Sequence, residues 1–474
     1  MNRFLAFVLI PAASLGIVRG EPIIPGAEQI EGADGGRVLI DALNCSACHD
    51  ISGFNAVAPL EGPRFTHNLS IKYDYTTLRD WIADPHKIKP GTRMPDVVES
   101  PAEAEALAQF LYFSLPQNPS REPLPNGDLE RGKEIYHSVG CVACHAPDGE
   151  KLESPSVPIE LAKTWLWEQT AEYLLDPGTA AMPDFRLSPQ DASDLASYIL
   201  RDVPHADANR EIPERDSGLA AQGAVLFMTR GCAKCHGAPP GALARGGRAQ
   251  LRKLIPASLE KGCLADEVDD RAPNFHLSEN QREAIRQAVI EPAASDTPIE
   301  RTLAALNCLA CHQRGEIGGP AADRKPFFAV TDDLAKSIGD LGNIPPRLDH
   351  VGRKLTPTWL QQLLDGEDNG VRPYMATKMP HFRHEALEKL DDWLAEADTR
   401  DPPIEMDTSG LRRHHRGHYG RDLLGIKGVG CITCHGLKSE KALGSPAIDL
   451  THTVDRLQPG YFKEILLNPA ETQP

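Results

Sequence analysis

Two cysteines three residues apart, followed directly by a histidine, occur five times in this chain of 474 residues. The five CxxCH motifs are Cys45/Cys48/His49, Cys141/Cys144/His145, Cys232/Cys235/His236, Cys308/Cys311/His312 and Cys431/Cys434/His435. They use ten of the eleven cysteines, and only 17 residues are histidine, so a histidine after every pair is not an accident of composition. The repeat therefore indicates five copies of one chemical site.

CxxCH is the attachment signature of c-type haem, in which the thiols form thioethers with the vinyl groups and the adjacent imidazole ligates the iron. Redox dithiols and zinc ribbons share the cysteine spacing, but a zinc ribbon needs two pairs close together to supply four ligands. Successive pairs here lie 76 to 123 residues apart. The motifs therefore predict five covalent haem c groups, with zinc or dithiol chemistry as the alternative.

The first 20 residues have the pattern of a secretory signal peptide. One positive charge at Arg3 precedes an apolar run from Phe4 to Val18, and small residues follow. We expect cleavage near Glu21 and a periplasmic or otherwise exported protein, with an uncleaved membrane anchor as the alternative. No later stretch approaches the roughly 20 apolar residues of a membrane span, so no integral span is expected after cleavage.

The five motifs divide the chain into small units joined by proline-rich, charged linkers at 114–127, 203–216, 291–299 and 397–416. After the signal peptide at 1–20, the predicted units span 35–115, 127–203, 217–292, 299–397 and 417–474. Units this small seldom stabilise themselves with side chains alone, and this chain is poor in aromatic residues. Covalent haem would supply the missing apolar core of each unit.

Internal repeats predict that these units are helical. Three units place a glycine nine residues before the first cysteine, at Gly36, Gly132 and Gly223. Helix-capping sequences precede three closing helices, at Ser100 with Glu103, Ser188 with Pro189, and Ser278 with Gln281. Apolar residues then recur at helical spacing, for example at Leu107, Phe110 and Leu111. No alternating strand pattern competes, so the predicted class is all-α.

Each unit resembles a class I cytochrome c domain, with a helix, a CxxCH motif, an irregular wrap, a methionine loop and a closing helix. The resemblance covers nearly the whole chain from about residue 35. It implies a tandem, multihaem c-type cytochrome in which each iron has histidine on one side and methionine on the other.

Three Met-Pro dipeptides support this resemblance, at Met94, Met182 and Met379. Each follows a CxxCH motif and precedes a closing helix. Proline biases the residue before it toward an extended backbone, which lets the thioether lean out of a loop. We therefore predict these three methionines as iron ligands, with Met375 as a rival to Met379.

The third unit departs from the pattern. Aligning the sequence MPDFRLS, which starts at Met182, with APNFHLS, which starts at Ala272, puts alanine at the ligand position. We predict His276 as the replacement ligand of the third iron. The odd cysteine, Cys263, the displaced Met228 and an open or water-ligated iron remain alternatives.

The fifth unit stops early in the repeat. Residues 468–474 align without a gap on residues 84–90, and in the first unit Gly91 and Met94 follow soon after. We expect the chain to be a fragment of a longer polypeptide, unless the fifth iron takes its sixth ligand elsewhere.

The family resemblance also implies a proline carbonyl that accepts the N–H of the ligand histidine. Pro63, Pro346 and Pro446 match this position, each in a run of proline, a variable residue and an apolar residue. An ordinary turn proline is the alternative at each site.

A formal net charge of −17 argues against nucleic acid and anionic membranes as partners and fits a redox partner with a basic face. The linker sequence from Arg412 to Arg416, with His418, is locally basic, and His414, His415 and His418 are candidate metal ligands.

These observations predict an exported pentahaem c-type cytochrome, an electron carrier more than a catalyst. Two alternatives stay open. One is a haem enzyme with an open or weakly ligated iron in the third unit, and the other is an electron-transfer module of a larger dehydrogenase that continues past Pro474.

Overall fold

The computed structural model describes the chain from residue 20 to residue 472 with several gaps. The described residues are 20–28, 30–51, 54, 56–57, 62, 74–114, 123–147, 152–159, 166–177, 182–203, 213–239, 251–269, 272–291, 298–328, 339–367, 372, 375–382, 386–399, 410, 412–438, 440–444 and 449–472. Residues 1–19 of the predicted signal peptide, most of each predicted linker, Pro63 and Pro446 lie outside them.

The described part of the chain is helix-rich, as the sequence predicts for an all-α protein. The helices are α1 Gly32–Ala42, α2 Tyr75–Ala83, α3 Pro85–Ile88, α4 Pro101–Ser114, α5 Leu129–Ser138, α6 Trp167–Leu175, α7 Pro189–Ile199, α8 Ser217–Thr229, α9 Cys232–His236, α10 Glu279–Ile290, α11 Pro298–Ala305, α12 Asp340–Asn343, α13 Val351–Lys354, α14 Pro357–Leu364, α15 Leu387–Ala397, α16 Arg413–Leu424, α17 Thr453–Arg456, α18 Pro459–Leu467 and α19 Pro469–Thr472.

The strands are two or three residues long. β1 (His49–Ile51) pairs in parallel with β2 (Arg252–Leu254), and β3 (Gln313–Arg314) pairs antiparallel with β4 (Ile317–Gly318). Among the described residues, no helix has both the length and the apolar character needed to cross a bilayer.

The predicted capping residues start the closing helices. Ser278 and Gln281 form a reciprocal capping box at α10, and the Ser188 hydroxyl accepts from the Asp191 N–H at α7. Ser100 also caps α4, but the carboxylate of Glu103 accepts from the N–H of Glu99, one residue earlier than the predicted box.

The opening helices of the first three units each cross a closing helix at a glycine. A Cβ atom there would lie 1.9 to 2.0 Å from a carbonyl oxygen of the other helix, in the pairs Gly36 with Ala284, Gly132 with Asp194, and Gly223 with Ala106. No real Cβ tolerates such a distance, so these positions require glycine. In the fourth unit the close approach is made by a later helix, α13, where a Cβ on Gly352 would lie 2.0 Å from the carbonyl oxygen of Leu394.

The first and third units exchange their closing helices. α1 packs on α10, and α8 packs on α4. Phe227 of α8 lies with its ring 6.0 Å from that of Phe110 in α4, and Arg230 forms ion pairs with Glu99 and Glu103. The sequence divides the chain at 35–115 and 217–292, whereas the helix packing of these two units runs across that division.

The second unit closes on itself, because α5 packs on α7. In the fourth unit α13 and α11 both pack on α15. The fifth unit contacts the fourth through an ion pair between Arg353 and Glu464 and through a bridge between Leu355 and Leu457.

The aligned ends of the first and fifth units also share a local fold. In both, a nine-residue helix is followed by a four-residue helix, with Asp84 between α2 and α3 and Asn468 between α18 and α19.

Candidate functional site

All five CxxCH motifs are preceded by a residue with a positive φ. These residues are Asn44, Gly140, Gly231, Asn307 and Gly430. Four motifs then form a single 3₁₀ turn, while the third forms the short helix α9. Asparagine and glycine are the residues that adopt left-handed backbone most readily. The five sites therefore share their local geometry as well as their sequence.

The first and third motifs lie side by side. The Nζ atom of Lys234 is 3.5 Å from the Sγ atom of Cys48, and the strand that starts at His49 pairs with Arg252–Leu254 of the third unit. Gly62 of the first unit lies against the ring of His236, because a Cβ on Gly62 would be 2.5 Å from the histidine Cε1. The loops that surround these two motifs are thus exchanged in the same way as the closing helices.

The second and fourth motifs are also neighbours. Ala143 and Ala310, one from each motif, share a small apolar cluster with Phe328. Arg324 of the fourth unit is 3 % exposed, and its guanidinium donates to the carbonyl oxygens of Val142 at 2.5 Å and His145 at 3.0 Å. Because this charge is buried and hydrogen-bonded to main-chain carbonyls, it holds the loop of the second motif against the fourth unit.

The fifth motif departs from the expectation that every unit wraps around its attachment site. Cys434 is exposed, whereas the other motif cysteines are partly buried, and His435 is only half-buried. The turn itself is formed, since the N–H groups of Cys434 and His435 donate to the carbonyl oxygen of Cys431 at 3.1 and 2.9 Å. The motif at Cys434 and His435 therefore keeps the hydrogen-bonded turn of the other motifs, with one thiol exposed.

The described helices of the fifth unit leave part of its motif exposed. Helix α18 packs on α13 of the fourth unit. Helix α16 contacts the motif turn, but Leu423 and Val429 beside that turn are 57 % and 76 % exposed. Haem attachment at Cys434 and iron ligation by His435 therefore stay predictions from the sequence motif.

Three motif histidines have a main-chain carbonyl beside Nδ1. For His145 the acceptor is Val157 at 2.8 Å, and for His312 it is Pro346 at 2.6 Å. His49 lies 3.3 Å from the carbonyl oxygen of Arg252. A proton on Nδ1 leaves the Nε2 lone pair free for a metal. The arrangement fits an iron-ligating histidine, and it confirms the expected role of the Pro346 carbonyl.

Motif thiols in the second and third units are in surroundings that suppress redox chemistry. Burial raises the pKa of Cys141 to about 12 and that of Cys144 to about 11, and burial also raises the pKa of Cys232 to about 11. Reactive dithiols have a lowered thiol pKa. The environment is therefore the opposite of a thioredoxin-type site and is compatible with thioether attachment, in which no thiolate persists.

The predicted methionine ligands have different surroundings. Met182 packs against the same apolar core as Cys141. Met94 starts the loop before α4, and its N–H donates to the hydroxyl of Thr92 at 3.2 Å. Met379 is 43 % exposed, while the sulfur of its rival Met375 lies 3.8 Å from the guanidinium of Arg372. Ligation by these methionines stays a prediction.

The candidate ligands of the third iron, His276, Cys263 and Met228, lie in different surroundings. Burial, followed by the neighbouring Cys48, raises the pKa of Cys263. The ring of His276 lies with its Nε2 atom 2.6 Å from Oδ2 of Asp96. Met228 instead packs in the core that contains Cys232. Ligation of the third iron by His276 stays a prediction, and in this structure that nitrogen contacts a carboxylate.

Sequence reasoning missed two features of these sites. The first is the asparagine or glycine before every motif, which could have been found as a repeated residue type. Arg324 had no such signal, because a single arginine in a loop looks the same whether it is buried or exposed.

Helices that cross at a glycine, a CxxCH turn between them and a histidine held by a carbonyl together define a c-type cytochrome domain. Residues 127–199 match the family model for cytochrome c oxidase, cbb3-type, subunit III. No curated protein matches the chain, and neither does any solved structure. The chain therefore contains a cytochrome c domain, which implies covalently bound haem c and haem-based electron transfer with redox partners.

Proposed function

We propose that this protein is an exported pentahaem c-type cytochrome that passes single electrons between redox partners. The observation that carries the proposal is the contact between motifs, four of which lie in two neighbouring pairs. Lys234 reaches Cys48 in one pair, and Ala143 meets Ala310 in the other. Haem iron supplies the one-electron ferric/ferrous couple, and attachment sites this close favour tunnelling between cofactors.

The helix exchange supports a specific assignment of ligands. The loop of Met94 leads into α4, which packs on the α8 helix that precedes Cys232. We therefore assign Met94 to the iron bound by His236. By the same argument, the segment in which Ala272 replaces methionine belongs to the iron bound by His49, because α10 packs on α1. Met182 and Met379 serve the irons of their own units.

The protein's contribution in this function is to fix ligands and surroundings. A methionine ligand raises the reduction potential relative to a second histidine. Irons with methionine and an iron without it would give a spread of potentials along the chain. A gradient of this kind directs electrons without any acid or base catalysis.

The haem count tests the proposal. A mass spectrum of the protein, isolated from a host with haem-attachment machinery, should show five added haem groups, and reduction should produce c-type bands from all five. Fewer than five groups, with free thiols at the vacant motifs, would refute the pentahaem state. The N-terminal residue from the same spectrum tests export, since we expect the mature chain to start near Glu21.

A second candidate function, catalysis at an iron without methionine, is favoured by Ala272. An open iron binds small molecules, whereas a methionine-ligated iron resists them. If this function holds, carbon monoxide should change the reduced spectrum of at least one of the five haems. Replacing Cys45 and Cys48 by alanine should remove the change that belongs to one haem. The absence of any carbon monoxide shift leaves the electron carrier alone.

A further inference from the structure

Two histidines and an aspartate meet where the first and third units join. His86 belongs to α3, Asp96 follows the Met94 loop, and His276 comes from the third unit. Their ligand atoms all lie within 4.8 Å of one another, and the two rings have centroids 4.3 Å apart. The segments that carry Asp96 and His276 are paired, because Asp96 and Asn274 exchange hydrogen bonds of 2.9 and 3.0 Å.

The polar atoms in this cluster are poorly satisfied. His86 is 6 % exposed, and its Nε2 atom has no hydrogen-bond partner. The Oδ1 atom of Asp96 is likewise buried without a partner. Buried polar atoms in native proteins are almost always paired, so two orphans in one cluster call for a missing partner.

The His86 ring is already oriented to act as a ligand. In the chain that retains Gly20, the residue before the expected cleavage point, the Nδ1 atom of His86 lies 2.6 Å from the Gly20 carbonyl oxygen, which places the proton on Nδ1 and the lone pair on the orphaned Nε2. Histidines that ligate metals are held in this way by a carbonyl or carboxylate. The positive φ of His276, 51°, is not specific to this cluster, because Arg186 at the equivalent position of the second unit has a φ of 48°.

We infer that His86, Asp96 and His276 bind a divalent transition-metal ion of the zinc class, outside the five haem sites. Two imidazoles and one carboxylate form a common donor set for Zn²⁺, with water in the fourth position. A tetrahedral zinc ion with ligands at about 2.0–2.1 Å separates them by roughly 3.3 Å, so small side-chain rotations complete the site. The ion takes the place of the hydrogen bond between His276 and Asp96, with the Nε2 proton of His276 released to solvent, and it cross-links the two units that exchange helices.

His276 then ligates this ion in place of the third iron. Binding of the ion does not depend on the electron-carrier function, because none of the three residues belongs to a CxxCH motif. A protein with fewer than five haems would still be expected to bind the ion.

The test uses the full haem-loaded protein. After treatment with a chelator and dialysis against micromolar Zn²⁺, elemental analysis should find one tightly bound zinc per chain. His86→Gln and Asp96→Asn should each weaken zinc binding by at least about 100-fold, because even outer-shell partners of a metal are worth up to about 100-fold. Zinc should also raise the Tm of the wild type and not that of His86→Gln.

The matched control removes the linker histidines. A triple variant with His414→Ala, His415→Ala and His418→Ala should keep the zinc, and its loss there would overturn the inference. Equal zinc binding by His86→Gln and the wild type, or no binding at micromolar Zn²⁺, would also overturn it. If the variants do not fold, zinc should protect His86 and His276 of the wild type from histidine acylation, as mapped by mass spectrometry. Unprotected histidines then reject the site.

Discussion

Replacing Met94 by alanine is expected to open the iron attached at Cys232 and Cys235, not the iron attached in the same unit at Cys45 and Cys48. The reason is the helix exchange, since the Met94 loop leads into α4 and α4 packs on α8. The substitution should remove the far-red band of one methionine-ligated ferric haem, lower its potential and create one carbon-monoxide-binding iron.

The assignment is measured in two backgrounds that each lack one haem. Without the first haem, through Cys45→Ala and Cys48→Ala, Met94→Ala should still remove a methionine band. Without the third haem, through Cys232→Ala and Cys235→Ala, Met94→Ala should change nothing in the spectrum. Met182→Ala serves as the control and should act in both backgrounds. The reverse pattern for Met94 would place its sulfur at the first iron and contradict the exchanged assignment.

Replacing Gly132 by alanine should destabilise the second unit strongly. The new Cβ would lie 2.0 Å from the carbonyl oxygen of Asp194, and because that atom is backbone, α5 and α7 must move apart. Overpacking of this kind costs about 3 kcal/mol of unfolding free energy. The midpoint of denaturant unfolding, followed at the haem of His145, should fall accordingly.

Gly420 is the matched control for this substitution. It also lies inside a helix, α16, but nothing approaches its Cβ position within 4 Å. Gly420→Ala should therefore leave stability unchanged or raise it by about 0.5–1 kcal/mol, the usual gain from helix propensity. Similar losses of stability for both variants would show that the helix crossing does not explain the requirement for glycine.

Much of the local structure could be predicted from the sequence. The capping box of Ser278 and Gln281, the glycines on the opening helices and the carbonyl partner of His312 all depend on residues a short distance apart or on a repeated pattern. Such signals come from backbone chemistry that one segment carries by itself. The turns of the five CxxCH motifs belong to the same class, because cysteine and histidine spacing is local.

The tertiary packing around each turn could not be predicted in the same way. The sequence of Cys434 and His435 is indistinguishable in kind from the other four motifs, yet Cys434 is exposed where the other motif cysteines are partly buried. Whether a motif is enclosed depends on where the later helices pack, and α18 packs on the fourth unit. Spacing within a motif carries no information about that choice.

The partner of each helix could not be predicted for a related reason. Gly36, Gly132 and Gly223 offer nearly the same surface, and the closing helices α4, α7 and α10 offer similar small or apolar faces. A repeat of this kind makes several pairings nearly equivalent at short range. The exchanged pairing is accompanied by tertiary contacts that the repeat does not predict, such as the ion pair of Arg230 with Glu103. The cluster around His276 was invisible because only the exchange brings its members together.

The glycine crossings join segments that are separated by very different lengths of chain. Gly132 meets its partner Asp194 after 62 further residues, whereas Gly36 needs Ala284, which lies 248 residues downstream. Contacts between distant segments form slowly, and the surface that awaits them is exposed meanwhile. Helix α1 therefore lacks its packing partner until Ala284 is available, so the surroundings of the first CxxCH motif are completed only after the second unit can close.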